Sequence, residues 1–237
     1  MDENVPASLD KPAEDDGLYL AWPELAQAMT NYHGFNTTDG DLLRESWINV
    51  WWEEDRRTLA QWFLGYELPQ VLTLDVPPGE TRDFHYAMAL RAETRLLSVL
   101  GHRHAWTSNM TAWVQRESGG IELLYRSLHW SDIPTYRYDS LTVNPQLGLE
   151  ASDGGASGII TLHAGDVLHF NCHVEYTDER AFEVSAPRAP VEAGPLKFAN
   201  EVYEGEMCVL FGIVTGDPFA GFPVLDPTPP PAFATVD

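Results

Sequence analysis

Short apolar runs alternate with Gly- and Pro-rich turns along most of this 237-residue chain, and helical periodicity is scarce. A turn at residues 77–80 (PPGE) predicts that its flanking strands pair antiparallel, and a second turn at residues 117–120 (ESGG) predicts another such pair. The pattern predicts a single antiparallel β-sandwich of jelly-roll type. The predicted strands cover residues 46–53, 71–76, 83–90, 95–104, 109–116, 121–130, 158–163, 167–176 and 207–215.

The segments outside the predicted strands are predicted to form flexible termini, one short helix and two long loops. Residues 1–16 are acidic and predict a flexible leader, and residues 226–237 are Pro-rich and predict an extended tail, so we expect both termini to be disordered and the domain to span residues 17–225. Residues 18–29 predict one short N-terminal helix that begins after Pro23. Residues 151–158 and 178–200 predict longer loops.

The charge balance narrows the classes of partner. The chain has 36 acidic and 14 basic side chains, a formal net charge of −22, which disfavours nucleic acid and anionic membranes and attracts metal cations. No apolar run is long enough to span a bilayer. The N-terminus lacks the basic and apolar regions of a signal peptide, so we expect any signal segment to be absent from this chain.

Two features indicate metal chemistry, and a third concerns the cellular compartment. His102 and His104 are alternate residues of a predicted strand, so their imidazoles lie on one face and can approach one ion. Met207 offers a thioether, a soft ligand for Cu(I), and with two neutral imidazoles it favours redox copper over zinc. Cys172 and Cys208 are the only cysteines; they are either two unrelated buried thiols or a disulfide, and a disulfide indicates an oxidising compartment.

Four blocks in order resemble the copper type II ascorbate-dependent monooxygenases, the family of peptidylglycine monooxygenase and dopamine beta-hydroxylase. They are VLTLDVPPGE (71–80), LLSVLGHRHAWTSNMTAWV (96–114), GDVLHFNCHVEYTDE (165–179) and GEMCVLFG (205–212). The resemblance is to the family's C-terminal domain, which holds the O2-activating copper. It implies that His102, His104 and Met207 bind one copper ion and that Cys172 and Cys208 form a disulfide.

The chain departs from that family on the substrate side and in length. Where the family's peptide-hydroxylating enzymes hold a substrate carboxylate with Arg, Asn and Tyr, the alignment places Leu100, Val209 and Phe211, an apolar candidate pocket that does not suit a glycine-extended peptide. The chain is too short for the family's N-terminal domain, which carries a second copper. His33 lies in a segment, NYHGFN, that resembles one ligand segment of that domain.

The other histidines have a simpler interpretation. His85, His129 and His163 fit hydrogen-bonded or half-exposed strand residues better than metal ligands. His169 and His173 lie on one face of their predicted strand, opposite Cys172, and are the strongest candidates for an additional metal pair.

Two functions follow from the resemblance. As an enzyme, the protein would use copper, O2 and ascorbate or another reductant to hydroxylate a C–H bond of a small molecule, with a second subunit or an electron-donor protein in place of the missing domain. As a binding protein, it would carry, store or sense copper without turnover. A structural sandwich without metal is the third alternative. The disulfide implied by the resemblance predicts an extracytoplasmic location, either periplasmic or secreted.

Overall fold

The computed structural model describes residues 18–21, 40, 57–65, 73–128, 130, 135–137, 160–221 and 223–231. Nearly all of its regular structure is β. The strands are β1 (Leu18–Leu20), β2 (Thr58–Gly65), β3 (Asp75–Val76), β4 (Glu80–Ala89), β5 (Thr94–Arg103), β6 (Thr107–Gln115), β7 (Ile121–Ser127), β8 (Thr135–Arg137), β9 (Ile160–Leu162), β10 (Val167–Tyr176), β11 (Leu196–Phe198), β12 (Gly205–Glu206), β13 (Cys208–Thr215) and β14 (Val224–Leu225). The helices are α1 (Asp178–Glu183) and α2 (Pro190–Ala193).

Two sheets form the sandwich. Sheet I has the order β1-β2-β13-β5-β8, with β9 also paired to β5, and sheet II has the order β14-β4-β10-β6-β7. A small third sheet has the order β12-β11-β3. The described pairs are antiparallel except for β1 with β2 and β11 with β12. The predicted all-β sandwich in one domain is confirmed.

The core lies between sheets I and II. On sheet II the even-numbered positions of β10, such as Leu168, Phe170 and Cys172, are fully buried in it. On sheet I, Val99 and Leu210 are buried in the same cluster. Because side chains alternate along a strand, the odd-numbered residues of β10 lie on the outer face of sheet II. Both candidate metal sites described below lie on outer faces of the sandwich.

One predicted hairpin is confirmed and the other is wrong. β6 and β7 pair across the turn at residues 117–120, where Gly119 has a φ of 94° and the Arg116 N–H donates to the Gly120 carbonyl oxygen. The turn at residues 77–80 is present, but the strands on its two sides do not pair: β3 pairs with β11, and β4 pairs with β10 and β14. That turn carries the chain from the small sheet into sheet II.

Several local assignments differ from the sequence pattern. Residues 18–20 form a strand beside β2. The sequence pattern does not predict β2. Its outer face carries the exposed apolar residues Trp62 and Leu64, so apolar and polar residues do not alternate along the strand. The predicted loop at 178–200 contains α1, α2 and β11, elements too short for periodicity to reveal. The leader (1–16), the helix predicted after Pro23, the predicted strand at 46–53 and the predicted loop at 151–158 lie outside the described residues.

The residues that follow position 225 contact β4. The Asp226 N–H donates to the His85 carbonyl oxygen at 2.8 Å, which continues the pairing of β14 with β4. The His85 ring also bonds to the Thr228 carbonyl oxygen. Composition predicted an extended tail here because the segment is Pro-rich, but tertiary contacts order its first residues. Within the described ranges, no helix is long and apolar enough to cross a membrane.

Candidate metal centres

His102 and His104 lie together on the outer face of sheet I. His102 is on β5 and His104 follows its last residue. Gly101 and Arg103 face sheet II, since a Cβ on Gly101 would collide with Met110 and the Arg103 guanidinium donates to Ser127 at 2.7 Å. Alternation therefore turns both histidines outward. Their ring centroids are 5.4 Å apart and the rings are nearly perpendicular.

The register of β13 places Met207 on the same face. Cys208 is paired with Arg103 and Val209 with His102, so Met207 and His104 are neighbours just beyond the last pair. Cys208 faces the core, which places Met207 and Val209 on the outer face by alternation. Met207 is half-buried and His104 is 1% exposed. The two imidazoles and the thioether thus lie on one patch of the sheet.

Cys172 of β10 and Cys208 of β13 form a disulfide with their Cα atoms 5.9 Å apart. The pairing that the family resemblance implied is therefore present. The bond links sheet II to sheet I directly behind Met207. It suits an oxidising, extracytoplasmic environment.

Glu206 holds the backbones of two candidate ligands. Its Oε1 accepts the N–H of His104 at 2.5 Å and the N–H of Met207 at 2.8 Å. The side chain is fully buried, and this burial raises its pKa to about 7, although the two N–H donors favour the charged form. Sequence reasoning missed this residue because Glu is usually a surface residue. Its position directly before an apolar strand was the available signal.

A backbone carbonyl sets the tautomer of His104. Its Nδ1 lies 3.1 Å from the Gly205 carbonyl oxygen. A carbonyl oxygen can only accept, so Nδ1 carries the proton in the neutral ring and Nε2 carries the lone pair. Backbone carbonyls orient metal-binding histidines in this way in many proteins.

The apolar candidate pocket surrounds His102 on sheet I. Leu100 is paired with Phe211, and His102 is paired with Val209. The rings of His102 and Phe211 are 6.2 Å apart at their centroids. Leu100 and Phe211 are half-buried and Val209 is buried. The three residues assigned from the resemblance therefore form one apolar surface beside the histidine pair.

A second group of possible ligands lies on the outer face of sheet II. His85 of β4, His169 of β10 and Asp226, which follows β14, could hold a metal ion. His85 Nε2 is 3.0 Å from His169 Nδ1, and Asp226 Oδ2 lies 3.9 Å and 3.8 Å from those two atoms. His85 and His169 are each 5% exposed. Sequence analysis singled out His169 but paired it with His173, because no local pattern links His169 to His85 on β4 or to Asp226 after β14.

The surroundings of this group keep His169 neutral. Burial lowers the pKa of His169 to about 4, helped by His85 and opposed by Asp226. Burial disfavours the charged form of Asp226 too, but hydrogen bonds from Thr228, with a smaller electrostatic contribution from the two histidines, hold its pKa below the usual value. Trp113 stacks on the His169 ring with centroids 5.2 Å apart. A neutral imidazole is the form that binds metal.

The structure does not bring His169 and His173 together. They share the outer face of β10, as the alternation predicts, but four residues at about 3.3 Å each separate them along the strand. His173 Nδ1 instead bonds to Asp83 Oδ1 at 3.0 Å. His163 contacts Glu93. His33 lies outside the described residues.

No protein-family model matches the chain, and no curated protein matches it. The likeness to the copper monooxygenases stays a prediction.

Proposed function

We propose that the protein binds one copper ion through His102, His104 and Met207 and acts as a monooxygenase-like oxidoreductase outside the cytoplasm. The observation that carries the proposal is the register of β13 against β5, which brings the distant Met207 to the face of the histidine pair. The disulfide behind Met207 adds support, since the same resemblance implied it.

The donor set fits copper. Two neutral imidazoles and a thioether add no charge, and the soft sulfur favours Cu(I) while the imidazoles tolerate Cu(II). When bound, copper would supply one-electron redox chemistry with O2, with ascorbate or another reductant as the electron source. Zinc would gain little from a thioether ligand.

The chain's own residues prepare the site. Glu206 holds the backbones of His104 and Met207 in one position, so little ordering is required when an ion binds. Leu100, Val209 and Phe211 supply an apolar surface beside His102. This surface favours an apolar small-molecule substrate and offers nothing to pair with a carboxylate.

Copper carriage or storage without turnover is the second candidate. The half-buried positions of His102 and Met207 favour it, because a partly accessible ion can be transferred to and from a partner. Both candidates use the same three ligands. They differ in whether reduced copper at the site reacts productively with O2.

Titration of Cu(I) against a chromophoric chelator tests the site. His102→Ala and Met207→Leu should each weaken Cu(I) binding by about 100-fold or more, since loss of an outer-shell partner alone costs about 10- to 100-fold at metal sites. His163→Ala is the matched control, because the exposed His163 ring bonds only to Glu93 among the described residues. Equal Cu(I) affinity in wild type and both site variants would refute the assignment.

Ascorbate-driven O2 uptake distinguishes the enzyme from the carrier. The copper-loaded protein should consume O2 faster than the same concentration of free copper, and an apolar substrate should raise the rate further. Uptake no faster than that of free copper, together with intact Cu(I) binding, would favour the carrier.

A further inference from the structure

We propose that His85, His169 and Asp226 form a second metal site, which takes a divalent transition ion of the Zn²⁺ class. The ion would pin the C-terminal segment (residues 223–231) onto the outer face of sheet II. This proposal is independent of the copper site, with which it shares no residue.

The distances between the three ligand atoms match the size of such an ion. His85 Nε2, His169 Nδ1 and Asp226 Oδ2 form a triangle with sides of 3.0, 3.8 and 3.9 Å. The point equidistant from its corners lies about 2.1 Å from each atom. Zinc binds imidazole nitrogen at about 2.0–2.1 Å and carboxylate oxygen at about 2.0–2.2 Å. The three separations therefore allow one ion to reach all three ligand atoms.

The proton positions on the two rings favour this occupant. His85 Nδ1 lies 2.6 Å from the Thr228 carbonyl oxygen, so Nδ1 must donate and the neutral ring has its lone pair on Nε2. That lone pair faces His169 Nδ1. In the absence of an ion, the hydrogen bond between the two rings must therefore use a proton on His169 Nδ1. If that proton moves to His169 Nε2, Nδ1 has a lone pair with which it can bind an ion.

His169 Nε2 sets a cost that the metal bond must outweigh. The atom is buried and has no hydrogen-bond partner among the described residues. Movement of the proton from Nδ1 to Nε2 would leave a buried N–H unpaired, which costs free energy. A metal–nitrogen bond at Nδ1, in place of the hydrogen bond to His85 Nε2, must therefore be worth more than that cost.

The charge of the ligand set selects a divalent ion. Two neutral imidazoles and one carboxylate carry a charge of about −1, so a divalent ion bound to them gives the site a net charge of about +1. The set contains no sulfur, so it lacks the preference for Cu(I) seen at the other site. Asp226 is 22% exposed, so water can reach an open fourth position from its side.

The C-terminal segment supplies the supporting contacts. The Thr228 carbonyl oxygen orients His85, and the Thr228 N–H donates to Asp226 Oδ1 at 2.9 Å. Such outer contacts orient ligands at most metal sites. The segment also covers His85 and His169, which lie on an outer face and are nevertheless buried. An ion held by all three ligands would therefore tie this segment to β4 and β10.

Zn²⁺ titration of the full chain, with hydrogen exchange at the four non-proline amides of residues 223–231 (Val224, Leu225, Asp226 and Thr228), tests the proposal. Asp226→Asn keeps the shape of the side chain and should weaken Zn²⁺ binding by about 100-fold or more. Zn²⁺ should slow exchange of the segment in wild type and have no effect on it in Asp226→Asn. Asp217→Asn is the matched control, because Asp217 is exposed and pairs only with exposed Arg91 among the described residues.

Two additional variants make the result specific. His169→Gln should lose Zn²⁺ binding as Asp226→Asn does, and a far-ultraviolet spectrum like that of wild type would show that each has folded. His102→Ala should retain the Zn²⁺ affinity and the protection of the segment. Wild-type affinity in Asp226→Asn, or loss of Zn²⁺ binding in His102→Ala with retention in Asp226→Asn, would overturn the proposal.

Discussion

The two outer faces of the sandwich present ligand groups of opposite character. On sheet I, His102, His104 and Met207 form a neutral group with a soft sulfur, and His102 is half-exposed. On sheet II, His85 and His169 are buried and join a carboxylate. We expect the two groups to prefer different ions, because the third ligand, Met207 or Asp226, decides the charge and the softness of the group.

The two groups are also supported differently. The proposed copper ligands lie on or directly beside two adjacent strands of one sheet, and buried Glu206 joins the backbones of His104 and Met207. The second group depends on Asp226, whose segment is attached through β14 and a few hydrogen bonds. We therefore expect the sheet I site to be more ordered without metal, and the sheet II site to gain more order when an ion binds.

Removal of the disulfide should give the largest effect. A Cys172→Ser and Cys208→Ser double variant should lose about 3–4 kcal/mol of unfolding free energy, because a closed loop of 36 residues no longer limits the unfolded chain. Urea denaturation measures the loss. Because Cys208 begins β13 directly after Met207 of the proposed copper site, Cu(I) affinity should fall more than Zn²⁺ affinity. Equal losses at both sites would contradict the separation of the two faces.

Glu206→Leu should give the next largest effect. It leaves the buried N–H groups of His104 and Met207 without their acceptor, at a cost of about 3 kcal/mol. Cu(I) affinity should fall while Zn²⁺ affinity is unchanged. Glu206→Gln is the matched control, because its amide oxygen can accept both N–H groups. Cu(I) binding by Glu206→Leu at the wild-type affinity would show that Glu206 does not position the ligands.

Asp166→Asn should give the smallest effect and tests whether stability alone changes metal affinity. Asp166 accepts from Arg116 and from the His163 and Glu117 N–H groups. Burial disfavours the charged form of Asp166, but these donors hold its pKa below the usual value. The charged form therefore stabilises the fold at neutral pH, and this contribution is lost as pH falls through that lowered pKa.

Thermal or urea unfolding of Asp166→Asn should show a loss of about 2 kcal/mol at pH 7. The difference from wild type should shrink as pH falls below the ordinary Asp pKa of 3.8, where the carboxyl of the unfolded chain takes up its proton first, and vanish once pH has fallen through the lowered pKa of the folded state. Both metal affinities should stay within about twofold of wild type, since Asp166 touches neither ligand group. If the difference in unfolding free energy between wild type and Asp166→Asn stays constant from pH 7 to pH 3, the charge of Asp166 does not stabilise the fold.

The sequence by itself determined the features that depend on neighbouring residues. Alternation and Gly or Pro turns predicted most strands of the sandwich, and the ESGG turn predicted the β6–β7 hairpin. The spacing of His102 and His104 placed both on one face, because successive strand residues alternate. The position of Met207 beside them came from family resemblance, since no local pattern links β5 to β13.

Only the tertiary structure decided which distant residues meet. His85 and His169 lie on β4 and β10, Asp226 follows β14, and strand order and register bring their ligand atoms within 3.0–3.9 Å. Likewise, Glu206 resembles a surface acid in the sequence, and its complete burial follows from the packing of β12 and β13. The physical reason is that register and strand order come from the summed packing of the whole core, which no short segment contains.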